Sequence, residues 1–356
     1  MLKIESDLEE EMLYGFIQNI KDSHLSRTHF PRMVIGTGLS INYGIAGMTD
    51  LMGFLERHFS KKELEDPLRI KWDEIKGGIV EFGLEKGLEG LDYSRDSIFI
   101  DEISTCTAKL IIRDLKENIN NILEKDTGFK RLLRYLLDTC STNNKVLDIM
   151  TPNYDLIIEL VSDSLGIEVI DGFLGNVICS FDHLTLKNPK SKFILNSKYK
   201  YIRLFKPHGS INWISENSKI IKINDLGILE QSTNKIAIVT PGGDKYRQGL
   251  VITEYRSIRE EFNNLITSNE KAPILIYGYG FNDEHFNNAI FQNPQIPLLV
   301  ISKGIKEDIV EKLIENENAV VFYENEERNH LIYKGVNYNL EDALWDIDIF
   351  VKYFFS

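Results

Sequence analysis

Cysteine is scarce and scattered: the 356-residue chain holds only Cys106, Cys140 and Cys179. Thiols so spaced form neither paired Cys-x-x-Cys zinc knuckles nor a disulfide framework, so each reads as a small buried apolar residue. No apolar run approaches the roughly 20 residues that span a bilayer. The N-terminus is acidic and amphipathic rather than basic and then apolar, so it does not read as a secretion signal. A cytoplasmic protein without a membrane role is expected. Positive charge is also short: 41 Lys and Arg stand against 54 Asp and Glu, a net charge of -13, with a pI near 5.1. Direct nucleic-acid binding is not expected, because neutralising phosphates takes clustered cations. Internal repeats and low-complexity linkers are missing too.

What is present is length and apolar content. A chain of 356 residues with 43% apolar side chains exceeds one ordinary core, and a main domain with a helical insertion or a second small domain follows. Helical spacing covers Glu5 to Ser23, Thr49 to Phe59 and most of Ile98 to Leu137, so the insertion is placed at about 55–145. Phe30 to Gly36 and Val146 to Met150 read as buried strands, the second followed by a helix over Leu156 to Leu165. Between Gly172 and Thr240 short β-prone pieces (Lys192 to Leu195, Tyr199 to Phe205, Lys219 to Ile223, Lys235 to Val239) suggest an irregular β excursion. The last third alternates: helix Glu254 to Ser268, strand Ile274 to Tyr277, helix from Asp283, strand Pro297 to Ser302, helix Ile305 to Glu315, strand Ala319 to Tyr323. Such alternation predicts parallel strands with crossover helices.

Three polar breaks follow strand-like segments. Val34-Ile35 runs into Gly36-Thr37-Gly38-Leu39-Ser40, a turn where backbone N–H groups can meet phosphates and where glycine supplies positive φ or leaves room for the ligand. A tight turn without a ligand is the bland alternative. The dinucleotide fingerprint is incomplete, since its third glycine would fall on Ile41 and the next glycine is Gly44. The second break is Thr151-Pro152-Asn153-Tyr154-Asp155, and the third is Lys206-Pro207-His208-Gly209-Ser210. Asn153 and Asp155 also suit the cap of the helix beginning near Leu156. A further turn, Gly278-Tyr279-Gly280-Phe281-Asn282-Asp283, ends a strand where open α/β sheets place ligands. It reads either as a ribose or adenine contact or as a turn and helix cap, and His285 beyond it reads as a surface residue.

Gly36-Thr37-Gly38-Leu39-Ser40 with Gly44-Ile45 resembles the sirtuin signature Gly-Ala-Gly-x-Ser followed by Gly-Ile. Thr151 to Asp155 resembles the family's Thr-Gln-Asn-x-Asp, with Pro152 in place of Gln, and His208-Gly209-Ser210 resembles its catalytic His-Gly-Ser. Gly278 to Asp283 is similar to the Gly-Tyr-Ser-Phe-x-Asp segment of bacterial sirtuin-like NAD hydrolases. The motifs stand in the family's order and frame residues from about 30 to 325. The chain departs from deacylases in having Ala46-Gly47-Met48-Thr49-Asp50 where they carry Asp-Phe-Arg after Gly-Ile-Pro, and in lacking the four-cysteine zinc ribbon.

The resemblance implies one sirtuin-like domain over 1–356, an α/β fold with a Rossmann-like, mostly parallel sheet and the helical insertion. It implies NAD as substrate with no metal required. Gly36, Thr37, Gly38, Ser40, Gly278, Tyr279, Phe281 and Ser302 would bind the dinucleotide, and Asn153, Asp155 and His208 would be catalytic. The function implied is an NAD glycohydrolase depleting the cofactor in bacterial antiphage defence. A homo-oligomer with a HerA-like ring ATPase, or an Argonaute-type protein, is the partnership it suggests, since no sensing domain follows about residue 355. The alternatives are a non-catalytic NAD or ADP-ribose sensing scaffold, then a deacylase, then a dehydrogenase, which explains His208-Gly209-Ser210 poorly.

Chemically, the nicotinamide of NAD departs as a neutral molecule, so the two-carboxylate glycosidase design is unnecessary. The site must anchor phosphates, grip the carboxamide, support an oxocarbenium-like ribose and place a water. Asp155 can accept from the carboxamide, and Asn153 can orient ribose hydroxyls or water. His208, with an ordinary pKa of about 6.5, can act as general base near neutral pH.

Overall fold

Strand β1 (Arg32–Ile35) is buried at all of its positions, as a parallel strand must be when helices cover both sheet faces. The computed structural model describes residues 10–140, 146–192, 199–217, 219–242, 252–267 and 272–355. On one side of β1 lie β2 (Leu147–Met150), β6 (Lys200–Phe205) and β3 (Ile167–Ile170), in that order. On the other lie β10 (Ile274–Tyr277), β11 (Leu298–Ser302) and β12 (Ala319–Asn325), and every one of these pairings is parallel. An antiparallel margin, β13 (Arg328–Tyr333) and β14 (Val336–Leu340), completes nine strands. Val34 pairs with Met150 on one flank and Ile276 on the other. The chain therefore winds one way from β1 to β2 and the other way from β10 to β12. That reversal creates a crevice at the carboxyl ends of β1 and β10, where doubly wound sheets bind ligands. The mixed α/β fold with a large, mostly parallel sheet is the Rossmann-like class expected.

A second sheet is antiparallel and orders β4 (Phe173–Leu174), β5 (Ile178–Phe181), β8 (Lys219–Ile223), β7 (Gly209–Glu216) and β9 (Ile236–Ile238). This is the β excursion, with one correction. Tyr199 to Phe205 does not belong to it; as β6 it pairs with β2 and β3 inside the main sheet. Of the piece Lys192 to Leu195, residues 193–195 lie outside the described residues.

Helix α1 (Glu10–His24) precedes β1, and α2 (Thr37–Asn42) leaves it. Between them and β2 come α3 (Met48–Ser60), α4 (Pro67–Phe82), α5 (Leu84–Gly87), α6 (Tyr93–Glu124) and α7 (Gly128–Tyr135). Residues from Leu51 to Leu110 in this stretch form an apolar cluster of their own, centred on Phe59, which stacks on Trp72 and Phe99 with centroids 5.0 Å away in each case. Ala108 and the α6 residues from Ile111 onward, with α7, join the main core instead. Among the described residues no helix is long and apolar enough to cross a membrane.

Candidate functional site

The crevice is built by two loops in unusually close contact. An added Cβ at Gly36 would fall 2.5 Å from the Gly278 carbonyl oxygen, and one at Gly38 would fall 2.6 Å from the Gly278 Cα. Gly36 N–H donates to the Tyr277 carbonyl (2.9 Å) and Gly38 N–H to the Gly278 carbonyl (2.8 Å). Gly36 has φ -104, so positive φ is not its reason for being glycine; close approach of the two backbones is. Gly278, at φ +60, supplies the left-handed turn on the other side.

Below the crevice lies a cavity of about 580 Å³, within the range of pockets that enclose cofactor-sized ligands. Thr37, Gly38, Ser40, Asn153, Asp155, His208, Gly278, Tyr279 and Ser302 line it. Gly36 and Phe281 stand behind the wall. Phe281 is 1% exposed, its ring packs on Tyr279 and Phe291, and its φ of +56 turns the loop toward the helix Glu284–Phe291.

The second motif is cross-braced to the first. Asn153 Nδ2 donates to the Gly36 carbonyl and to Ser40 Oγ, both at 2.9 Å. Ser40 Oγ donates to Asp155 Oδ2 at 2.6 Å, while Asp155 Oδ1 accepts from the Ile157 N–H at 3.0 Å. Asp155 thus takes the first N–H of α8 (Ile157–Ser164) with one oxygen and holds Ser40 with the other.

His208 sits where the chain passes from β6 in the main sheet to β7 in the second. It is 5% exposed, its carbonyl accepts from the Val239 N–H at 2.8 Å, and the Val239 carbonyl accepts from the Tyr154 hydroxyl at 2.6 Å. His208 Nε2 lies 3.2 Å from Asp283 Oδ2, and Phe286 packs on the ring at 5.4 Å between centroids. Asp283 Oδ1 also accepts from the Phe286 N–H (3.3 Å), capping its helix. The turn read as a ribose or adenine contact therefore brings a carboxylate to the histidine. Burial pushes the Tyr154 and Tyr279 hydroxyls far up, so both stay neutral donors.

The β2 to Glu284–Phe291 region is the decisive stretch. Residues 148–294 match the family model of the SIR2-like domain. No curated protein matches the chain. The SIR2-like segment contains Asn153, Asp155, His208, Gly278 and Asp283, whereas Thr37, Gly38, Ser40 and Ser302 lie outside it and line the same cavity from the ends of β1 and β11. SIR2-like domains use NAD, which makes this a candidate NAD-using enzyme.

Two wall elements escaped sequence reasoning. From α6 come Thr107, Leu110 and Ile111, and from α5 comes Glu85, all outside the SIR2-like segment and all lining its cavity. No sequence signal distinguishes them, because a helical stripe facing a cavity has the same period as one facing a core. A second cavity of about 470 Å³ shares the Ile45, Ala46 and Thr49 wall and is lined by Arg57 and Arg113 as well as Asp50 and Asp114.

Among the described residues one group has metal-ligand types in reach, His58, Glu102 and Cys106. His58 Nε2 is 2.7 Å from Glu102 Oε1 and Lys62 Nζ 3.7 Å from the same oxygen. Burial pushes the Cys106 thiol up to about 12. A protonated thiol and an ammonium at the carboxylate suit an ion-pair cluster better than a cation site. Cys106 and Cys179 are buried thiols; the Cys140 and His285 side chains lie outside the described residues.

Proposed function

We propose that this chain is an NAD glycohydrolase, cleaving NAD to nicotinamide and ADP-ribose as the cofactor-depleting subunit of a bacterial antiphage defence assembly. The observation that carries the enzymatic reading is the convergence of Ser40, Asn153, Asp155 and His208 on one cavity at the sheet's reversal point. Among the described residues the lining carries the carboxylates of Glu85, Asp155 and Asp283 against the ammonium of Lys303. Such a wall favours positive charge developing on ribose as the bond between C1′ and the nicotinamide nitrogen breaks. Water then bonds to C1′ and its proton passes to His208 or solvent, and nicotinamide leaves neutral. Thr37 offers a hydroxyl at the head of α2 to the substrate's phosphates, Ser40, whose hydroxyl proton goes to Asp155, holds that turn in place, and Asn153, with its amide N–H groups given to Gly36 and Ser40, keeps Oδ1 to orient ribose hydroxyls or water.

The purified chain, alone and with its genomic neighbour, is incubated with NAD while nicotinamide and ADP-ribose are followed by chromatography. Turnover abolished by His208→Ala and by Asn153→Ala is the expected outcome, and a requirement for the neighbour supports control by assembly with a ring ATPase or Argonaute-type partner. Full turnover in both variants rejects the site. Tight binding of NAD without turnover in either condition assigns the pocket to sensing.

A further inference from the structure

Resting on the hydrolase reading, we infer that Asp283 is a positioning residue for His208: its carboxylate accepts the Nε2–H, fixes the neutral ring with its lone pair on Nδ1, and steadies the imidazolium formed when Nδ1 takes a proton. Three features carry this. The contact is 3.2 Å between side chains only 6% and 12% exposed, so solvent screens it little. An ionised carboxylate offers no proton, so Nε2 must carry it. Asp283 is itself immobilised: its Oδ1 caps the Phe286 N–H, its N–H donates to the Tyr279 hydroxyl at 3.3 Å, and that hydroxyl lies 3.2 Å from Asn287 Oδ1, to which it donates. Phe286 against the imidazole closes the remaining freedom.

Among the described residues, the other charged groups on the walls around His208 are Glu85 from α5, Asp155 from the turn after β2 and Lys303 from the end of β11; His285 follows in the helix that Asp283 caps. A carboxylate at hydrogen-bond distance raises a histidine's affinity for its proton, by roughly one unit or more in sheltered sites. Its removal lets His208 lose its proton at lower pH, so the acid limb of kcat moves to lower pH.

Asp283→Asn keeps a capping oxygen, and Asp283→Ser replaces it if the first variant does not fold. The protein labelled with [15N]histidine is titrated, His208 being assigned by the loss of its signal in His208→Gln, and kcat and KM for NAD are measured across pH. Expected are an Nε2–H neutral tautomer in the parent, a His208 midpoint and acid limb lower by about one unit in the variant, kcat reduced on the order of 100-fold, and KM within about threefold. An unmoved midpoint in Asp283→Asn, or an Nδ1–H tautomer in the parent, overturns the inference. Because the titration needs no turnover, absence of NAD cleavage defeats the hydrolase reading alone and leaves the pairing to be judged by the titration.

Discussion

At the scale of the residue, one buried ammonium ties the second and third motifs together. Lys206 is 2% exposed and donates to the Asp155 carbonyl, to Glu159 Oε1 at 2.7 Å and to Ser210 Oγ at 2.9 Å. Burial pushes the Glu159 carboxyl above its usual range, and the Lys206 charge opposes that push. A carboxyl so raised holds its proton more tightly in the folded chain. Its stabilising contribution is present below the ordinary value of about 4.3 and is lost as pH rises through the raised value. Lys206→Met removes the opposing charge, so we expect a loss of about 3 kcal/mol that grows as pH rises above that ordinary value, and partial recovery in Lys206→Met with Glu159→Gln. Urea unfolding at two pH values measures it; a pH-independent loss, or none, would show that the ammonium ties nothing. The sequence marks Lys206-Pro207-His208 as a polar break, but a buried lysine looks like any surface lysine until its acceptors arrive from β7 and α8. For the same reason Asp283 was legible only as part of a turn that contacts ribose or adenine or caps a helix, not as the histidine's partner.

At the scale of the element, the parallel strands and crossover helices were readable because their side chains are apolar on both faces, as in β1, β10 and β11, all buried throughout. The antiparallel margin was not. Its hairpins turn on Glu326-Glu327, at φ 48 and 62, and on Lys334-Gly335, at φ 51 and 72, so the first lacks the Asn-Gly type of signal such turns usually give. Strand β3 is four residues at the sheet edge with an exposed Glu168, too short for period to show. The helical stretch after α2 was legible as helix, yet only packing reveals that its first part has a separate core. Phe59→Ala should therefore cost about 3–5 kcal/mol locally. By hydrogen exchange, amides of α3, α4 and the first half of α6 should open sooner while β1, β2 and β10 keep their protection. Uniform loss over the sheet would mean that the insertion has no stability of its own.

At the scale of the molecule, the cavity lies between two packing units, the sheet with its reversal point and the helical unit that contributes Glu85, Thr107 and Leu110. The two also meet behind the histidine: Ser104 Oγ bonds Thr240 Oγ1, and an added Cβ at Gly242 would come within 2.8 Å of Leu88, next to the Val239 that holds the His208 backbone. A ligand touching both walls must couple their stabilities, since it binds only when both are folded and in place. ADP-ribose at about 100 times its dissociation constant should add about 2.7 kcal/mol, and the gain should appear in α3 to α6 as well as in the sheet. In Phe59→Ala the same ligand should restore protection to the opened helices. Protection gained by β1 and β10 alone, with the helices unchanged, would mean that the ligand sits on the sheet without reaching the insertion, and that the helical wall serves some other contact.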